Sequence, residues 1–119
     1  MDNIIKFFVI SIACVLLTAC NEPTLNTTNN DTIKESITLM KKQLSDRERN
    51  QLDADIHDIN RLEVLKLIRA GTPKMVAAMS TSRLTNERIN GLTAKEIHEM
   101  SIVAVKDGNQ IIAELDSRQ

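Results

Sequence analysis

Apolar positions divide the chain into three stretches. From Phe7 to Leu17 they run almost unbroken, from Asn21 to Asp31 only Leu25 offers a side chain for burial, and from Thr32 onward they recur at helical intervals. Ile33, Ile37, Met40 and Leu44, spaced by four, three and four, line one face, and Thr32 with Glu35 forms a capping box, so the spacing predicts a first helix over 33–44. Ser45 and Glu48 repeat the box and open a second helix that buries Leu52, Ile56 and Ile59. It continues through Leu62, Leu65 and Ile68 to Ala70, where Gly71 stops it; whether Asn60 interrupts it is open.

Thr72-Pro73 is a third start, with Thr72 as cap and Met75, Val76 and Met79 facing inward. Ser80-Thr81-Ser82 weakens the pattern, and residues 80–90 read as loop or irregular turn. Leu92-Thr93-Ala94-Lys95-Glu96-Ile97 combines a capping box (Thr93, Glu96) with a hydrophobic staple (Leu92, Ile97). It predicts a helix from Ala94 to about Lys106 that buries Ile97, Met100, Ser101 and Ala104. Asp107-Gly108 then ends it, and Gln110 to Leu115 can form another short helix. The competing reading is a β-hairpin near residues 101–113, with Val103, Val105, Ile111 and Ile112 flanking an Asp-Gly turn. A lone hairpin is marginal, and no other strand-like run exists after residue 31. The expected fold is all-α, a small bundle of three or four helices over residues 32–119 behind a polar tether at 20–31.

Composition adds where the material lies. The chain has 119 residues, 42% hydrophobic and 26% charged, the size of one domain. Its only aromatics, Phe7 and Phe8, and its only cysteines, Cys14 and Cys20, fall in the first twenty residues, so the helical interior must be built from Ile, Leu, Val, Met and Ala. Lys6 ahead of the apolar run, with small residues after it, is signal-peptide architecture over residues 1–19. Counted from Ile4 to Leu17 the run would be about 21 Å long as a helix, against roughly 30 Å of hydrocarbon, too short to span comfortably. Residues 21–31 would then act as a flexible spacer with an r.m.s. reach of about 18 Å.

Leu17-Thr18-Ala19-Cys20 resembles the lipobox of bacterial lipoproteins. In that family signal peptidase II recognises the residues corresponding to Leu17, Thr18 and Ala19 and cuts before a cysteine already carrying a diacylglyceryl thioether. The resemblance therefore implies that Cys20 is the lipidation site and that the palmitate-type chains on it hold the protein to a membrane. Cys14 is a poorer candidate, because Ser11 stands where a branched apolar residue belongs. Asn21, where enteric bacteria use Asp to retain lipoproteins at the inner membrane, leans towards the outer membrane. The implied localisation is the cell membrane or outer membrane, lipid-anchored and facing the periplasm. Ser36 to Leu44 (SITLMKKQL) and Ile89 to Glu99 (INGLTAKEIHE), taken with the lipobox, also resemble a family of small bacterial lipoproteins known only as a domain of unknown function. That resemblance implies a helical envelope protein and supplies no catalytic residue.

Candidate chemistry is sparse. Asp53 and His57, four apart, share a helix face and could pair or touch a metal together; Asp55 and Asp58 point elsewhere. Asp53-Ala-Asp55-Ile-His57 fails as a calcium loop, since Asp58 takes the place of the required Gly and Val64 that of the bidentate Glu. His98 reads as a surface residue. With Cys14 removed and Cys20 acylated no thiol is left for catalysis or zinc, and three glycines cannot assemble a phosphate loop or a nucleotide fingerprint. No enzyme activity, metal or cofactor is expected. Lys41, Lys42, Arg47 and Arg49 form a modest basic cluster that Asp46 and Glu48 interrupt; it reads as a mixed-charge turn, with contact to anionic headgroups as the alternative. A net charge of −1 and a body without aromatics exclude nucleic acid.

The leading expectation is a lipoprotein that docks to an envelope protein or surface, with Met75, Val76 and Met79 as the partner face if they are not core. The alternative is an immunity or inhibitor lipoprotein protecting against a toxin or cell-wall hydrolase, marked by an exposed acidic patch at Asp53, Asp55 and Asp58. A third reading is a metal- or proton-responsive protein using Asp53 and His57.

Overall fold

Ser45 and Thr93 each start a 24-residue helix, and these two helices frame the molecule. The computed structural model describes residues 22–118, in which five helices follow one another: α1 Asn30–Lys42, α2 Asp46–Arg69, α3 Lys74–Ser80, α4 Ser82–Ile89 and α5 Ala94–Ser117. The described residues are all-α, with one more helix than the largest number expected. The leader and the proposed cleavage and lipidation residues Leu17, Thr18, Ala19 and Cys20 lie outside them.

Two of the three expected capping boxes form as read. Ser45 Oγ accepts from the Glu48 N–H at 3.2 Å, and the Glu48 carboxylate accepts from the Ser45 N–H at 3.3 Å. Thr93 and Glu96 repeat the arrangement at 3.2 Å in both directions. In α1 the box sits one turn earlier than expected: Asn29 is the cap, its Oδ1 accepting from the Thr32 N–H, while Thr32 Oγ1 accepts from the Asn29 N–H. Asn caps at least as well as Thr, so the helix spans 30–42 rather than 33–44.

In α2, Leu52, Ile59 and Leu62 are buried, and the helix passes Asn60 unbroken to Arg69. Gly71, at φ +100°, then turns the chain. α5 buries Ile97, Ser101, Ala104, Gly108 and Ile111, a stripe spaced four, three, four and three. This helix does not stop at Lys106, and the hairpin alternative at 101–113 is overturned. Gly108 is a contact rather than a turn: a methyl group there would meet Leu65 Cδ1 at 3.3 Å. Small side chains at 101, 104 and 108 let the two long helices approach closely. Asp55 faces His98 and Ser101, Leu65 faces Gly108, and Arg69 Nη1 lies 3.7 Å from Glu114 Oε2, so α2 and α5 run parallel with both N-termini at one end.

α3 and α4 supply the crossover a parallel pair requires. Residues 82–89 are helical where a loop was expected, with Thr85 Oγ1 donating to Asn60 Oδ1 of α2 at 2.7 Å and Ile89 buried. Glu63 of α2, nearly buried, has Arg88 Nε at 2.6 Å, off the N–H direction and so an ion contact more than an aligned hydrogen bond, and Lys66 Nζ at 3.6 Å.

The expected tether also differs from what the structure shows. Leu25 is 1% exposed and belongs to the core with Met40, Leu52, Ile59, Ile89 and Ile97. Its N–H donates to Leu92 O at 2.9 Å and its carbonyl accepts from the Gly91 N–H at 2.7 Å, while Thr27 is fastened to Asn86 and Asn90. Residues 24–27 are a docked strap. A single apolar residue in a polar segment looked too little to hold it, but backbone groups of the 86–93 region supply the remaining partners.

Candidate functional site

Two features of the described residues go beyond helix packing. The first is polar. Asp55 lies on the buried stripe of α2, three residues after Leu52 and four before Ile59, and is 2% exposed. Isolated, a carboxylate there would be costly. Its oxygens instead collect donors from both long helices: Gln51 Nε2 at 2.8 Å, Ser101 Oγ at 2.8 Å, and His98 Nδ1 at 3.1 and 3.0 Å from the two oxygens. His98, read from the sequence as a plain surface residue, is half-exposed and clasped to this carboxylate.

The residue types are those of a nucleophilic triad, but the connectivity differs. Ser101 donates to the Asp55 carboxylate and to its own helix at His98 O (2.7 Å), not to the imidazole. A serine so placed lacks the contact with an imidazole that activates the nucleophile of a triad. The cluster instead pins His98 by Nδ1, leaving Nε2 as the ring's other polar atom. His98 and Asp55 help line a cleft of about 720 Å³ at the end where α2 and α5 begin, together with Glu22, Arg47, Glu48 and Lys95.

The second feature is apolar. Met75, Val76 and Met79 are 76%, 51% and 79% exposed, which overturns the expectation that they face the core. At 100° per residue they fall within one arc of α3, and Ala77 lies on the opposite side, wholly buried. A seven-residue helix seated through Ala77 must present them outward. Neither Thr72 nor any other side chain caps it.

The remaining candidates are not brought together. Asp53 is held by Lys41 at 2.9 Å, and His57 points to solvent with Nδ1 3.8 Å from Asp58 Oδ1, so the Asp53–His57 pair does not assemble. Of the three carboxylates expected in an acidic patch, Asp55 is buried, while Asp53, paired with Lys41, and Asp58 stay at the surface. Arg49 is engaged locally, its Nε donating to Lys41 O at 2.7 Å and its Nη1 meeting Asp46 at 3.2 Å. Among the described residues no three His, Cys, Asp or Glu side chains converge as a metal site would require, and no helix is long and apolar enough to cross a membrane.

Compared with known proteins, the chain matches a family of unknown function (DUF6694) over residues 6–116. No curated protein and no solved structure matches it.

Proposed function

The chain belongs to the DUF6694 family, and from that premise we propose that it is an acylated, non-enzymatic protein of the bacterial cell envelope. Residues 1–19 are removed, Cys20 carries the lipid that anchors it, and the helical body faces the periplasm and docks to a protein partner through α3. The observation that carries the docking reading is the outward display of Met75, Val76 and Met79 on two turns of one short helix. Scattered exposed apolar residues are ordinary, whereas three sharing one arc form a patch. Covering them contributes on the order of 1.5–3 kcal/mol for each side chain fully buried, and methionine adapts its shape to whatever covers it.

The lipid-anchor reading rests on the lipobox-like residues Leu17, Thr18, Ala19 and Cys20. The inhibitor alternative keeps only Asp53 and Asp58 of the acidic surface that motivates it. A photoreactive amino acid at Met79 tests the docking: in living cells it should give a discrete crosslinked adduct that disappears when Met75 and Val76 are changed to Glu. The same adduct from a probe at Gln110 on α5, or none from Met79, would overturn the reading.

A further inference from the structure

The end of the body at which the chain enters is also the end that must rest on the membrane, and we propose that the cleft there receives the zwitterionic headgroup of a phospholipid from the leaflet that holds Cys20. This rests on the proposed acylation of Cys20. Thr24 is bridged to Thr93 and Leu25 is locked in the core, so five residue steps at most separate the lipidated sulfur's residue from a fixed point of the fold. Fully extended, five steps cover about 17 Å, and the two steps to Glu22 about 7 Å. An eleven-residue spacer would let the body tumble above the bilayer; this strap does not. Glu22 itself lines the cleft, which places the opening beside the anchor.

The cleft's chemistry matches what lies at that depth. Leu44 and Leu52 give it an apolar base, and its rim carries both signs, Arg47 and Lys95 against Glu22 and Glu48. A phosphate ester bearing an ammonium group offers the complementary pair of charges on an apolar stem. With Asp55 behind His98 as a third carboxylate against the two cations, the cleft does not favour a purely anionic headgroup. His98, held by Asp55, adds a fixed polar edge to the same wall. α3 follows the opposite end of α2, so a body seated in this way carries its apolar patch away from the bilayer.

The test uses the processed full-length lipoprotein in vesicles. With Cys20 acylated, a cysteine introduced at exposed Gln43, beside the cleft, or at exposed Gln110, about 24 Å further along α5, is the single thiol for a fluorophore. A phosphocholine lipid with a nitroxide on its headgroup serves as quencher. Quenching is expected several-fold stronger at position 43 than at 110 in phosphatidylcholine or phosphatidylethanolamine vesicles. It should fall on Arg47→Gln with Lys95→Gln while vesicle association stays complete. Equal quenching at the two ends, no response to the double substitution, or stronger seating in phosphatidylglycerol vesicles would each overturn the inference. Intact mass of the same preparation separates the two levels: a bare Cys20 removes the proposed anchor as well, whereas an acylated Cys20 with equal quenching removes only the seating.

Discussion

Asp55 is the residue on which the polar interior turns. Its carboxylate is inaccessible to water, and Gln51, Ser101 and His98 replace the solvent it has lost. Removing the acceptor leaves the buried Ser101 hydroxyl with only its helix carbonyl and His98 with solvent. Asp55→Ala is therefore expected to destabilise the fold by about 1–3 kcal/mol, the usual cost of orphaning buried polar groups, measured by urea unfolding followed by circular dichroism. His98→Gln should cost less, because the half-exposed imidazole is screened by water. Equal stability of Asp55→Ala and the parent would contradict the assigned burial. Only half of the pair was legible in the sequence: Ser101 falls on the periodic buried face of its helix as expected, whereas Asp55 was read as part of an exposed acidic patch and is instead buried between Leu52 and Ile59. What concealed the pairing was its range, 46 residues along the chain, which no local pattern encodes.

Among the elements, the two long helices were read correctly at their starts, whereas the box read at Thr32 and Glu35 forms one turn earlier at Asn29 and Thr32. The boxes at Ser45 and Thr93 need only residues three apart, and both helices start where those residues place them. Gly108 misled because its role depends on a neighbouring helix; Asp-Gly is turn grammar only when nothing packs against the glycine. This gives the site two opposite responses to substitution. Gly108→Ala adds up to about 1 kcal/mol of helix propensity and asks only the flexible end of Leu65 to yield by tenths of an ångström, so stability should stay within about 1 kcal/mol of the parent. Gly108→Leu forces a full side chain between α2 and α5 and should cost about 1–3 kcal/mol. Thermal or urea unfolding of the pair checks this, and equal tolerance of Ala and Leu would mean the helices are not in close contact there. α3 and α4 were the hardest to read: seven and eight residues give too few turns for periodicity to speak, and the burial of Ala77 rather than Met75, Val76 and Met79 is decided by packing on α2.

At the scale of the whole molecule, the strap and the patch of α3 are the features on which the proposed roles of the body's two ends rest. If Leu25 is core, Leu25→Ala should cost about 2–4 kcal/mol like other large-to-small core substitutions, whereas a spacer residue would cost nothing measurable. Met75→Glu with Val76→Glu should leave unfolding within about 0.5 kcal/mol of the parent, since both are surface positions, and should still abolish crosslinking from a probe at Met79. Only the composition of the strap was visible in the sequence, and composition favoured a spacer; its docking depends on backbone groups around Gly91 and Leu92 and on a pocket between helices distant in the chain. Both proposed roles depend on the proposed anchor, so the most direct measurement is the intact mass of the protein extracted from membranes. The expected species begins at Cys20 and carries a diacylglyceryl thioether, with or without a further acyl group on its amine. A mass corresponding to an unmodified Cys20, or to a chain that still includes residues 1–19, would contradict the membrane attachment and the orientation built on it.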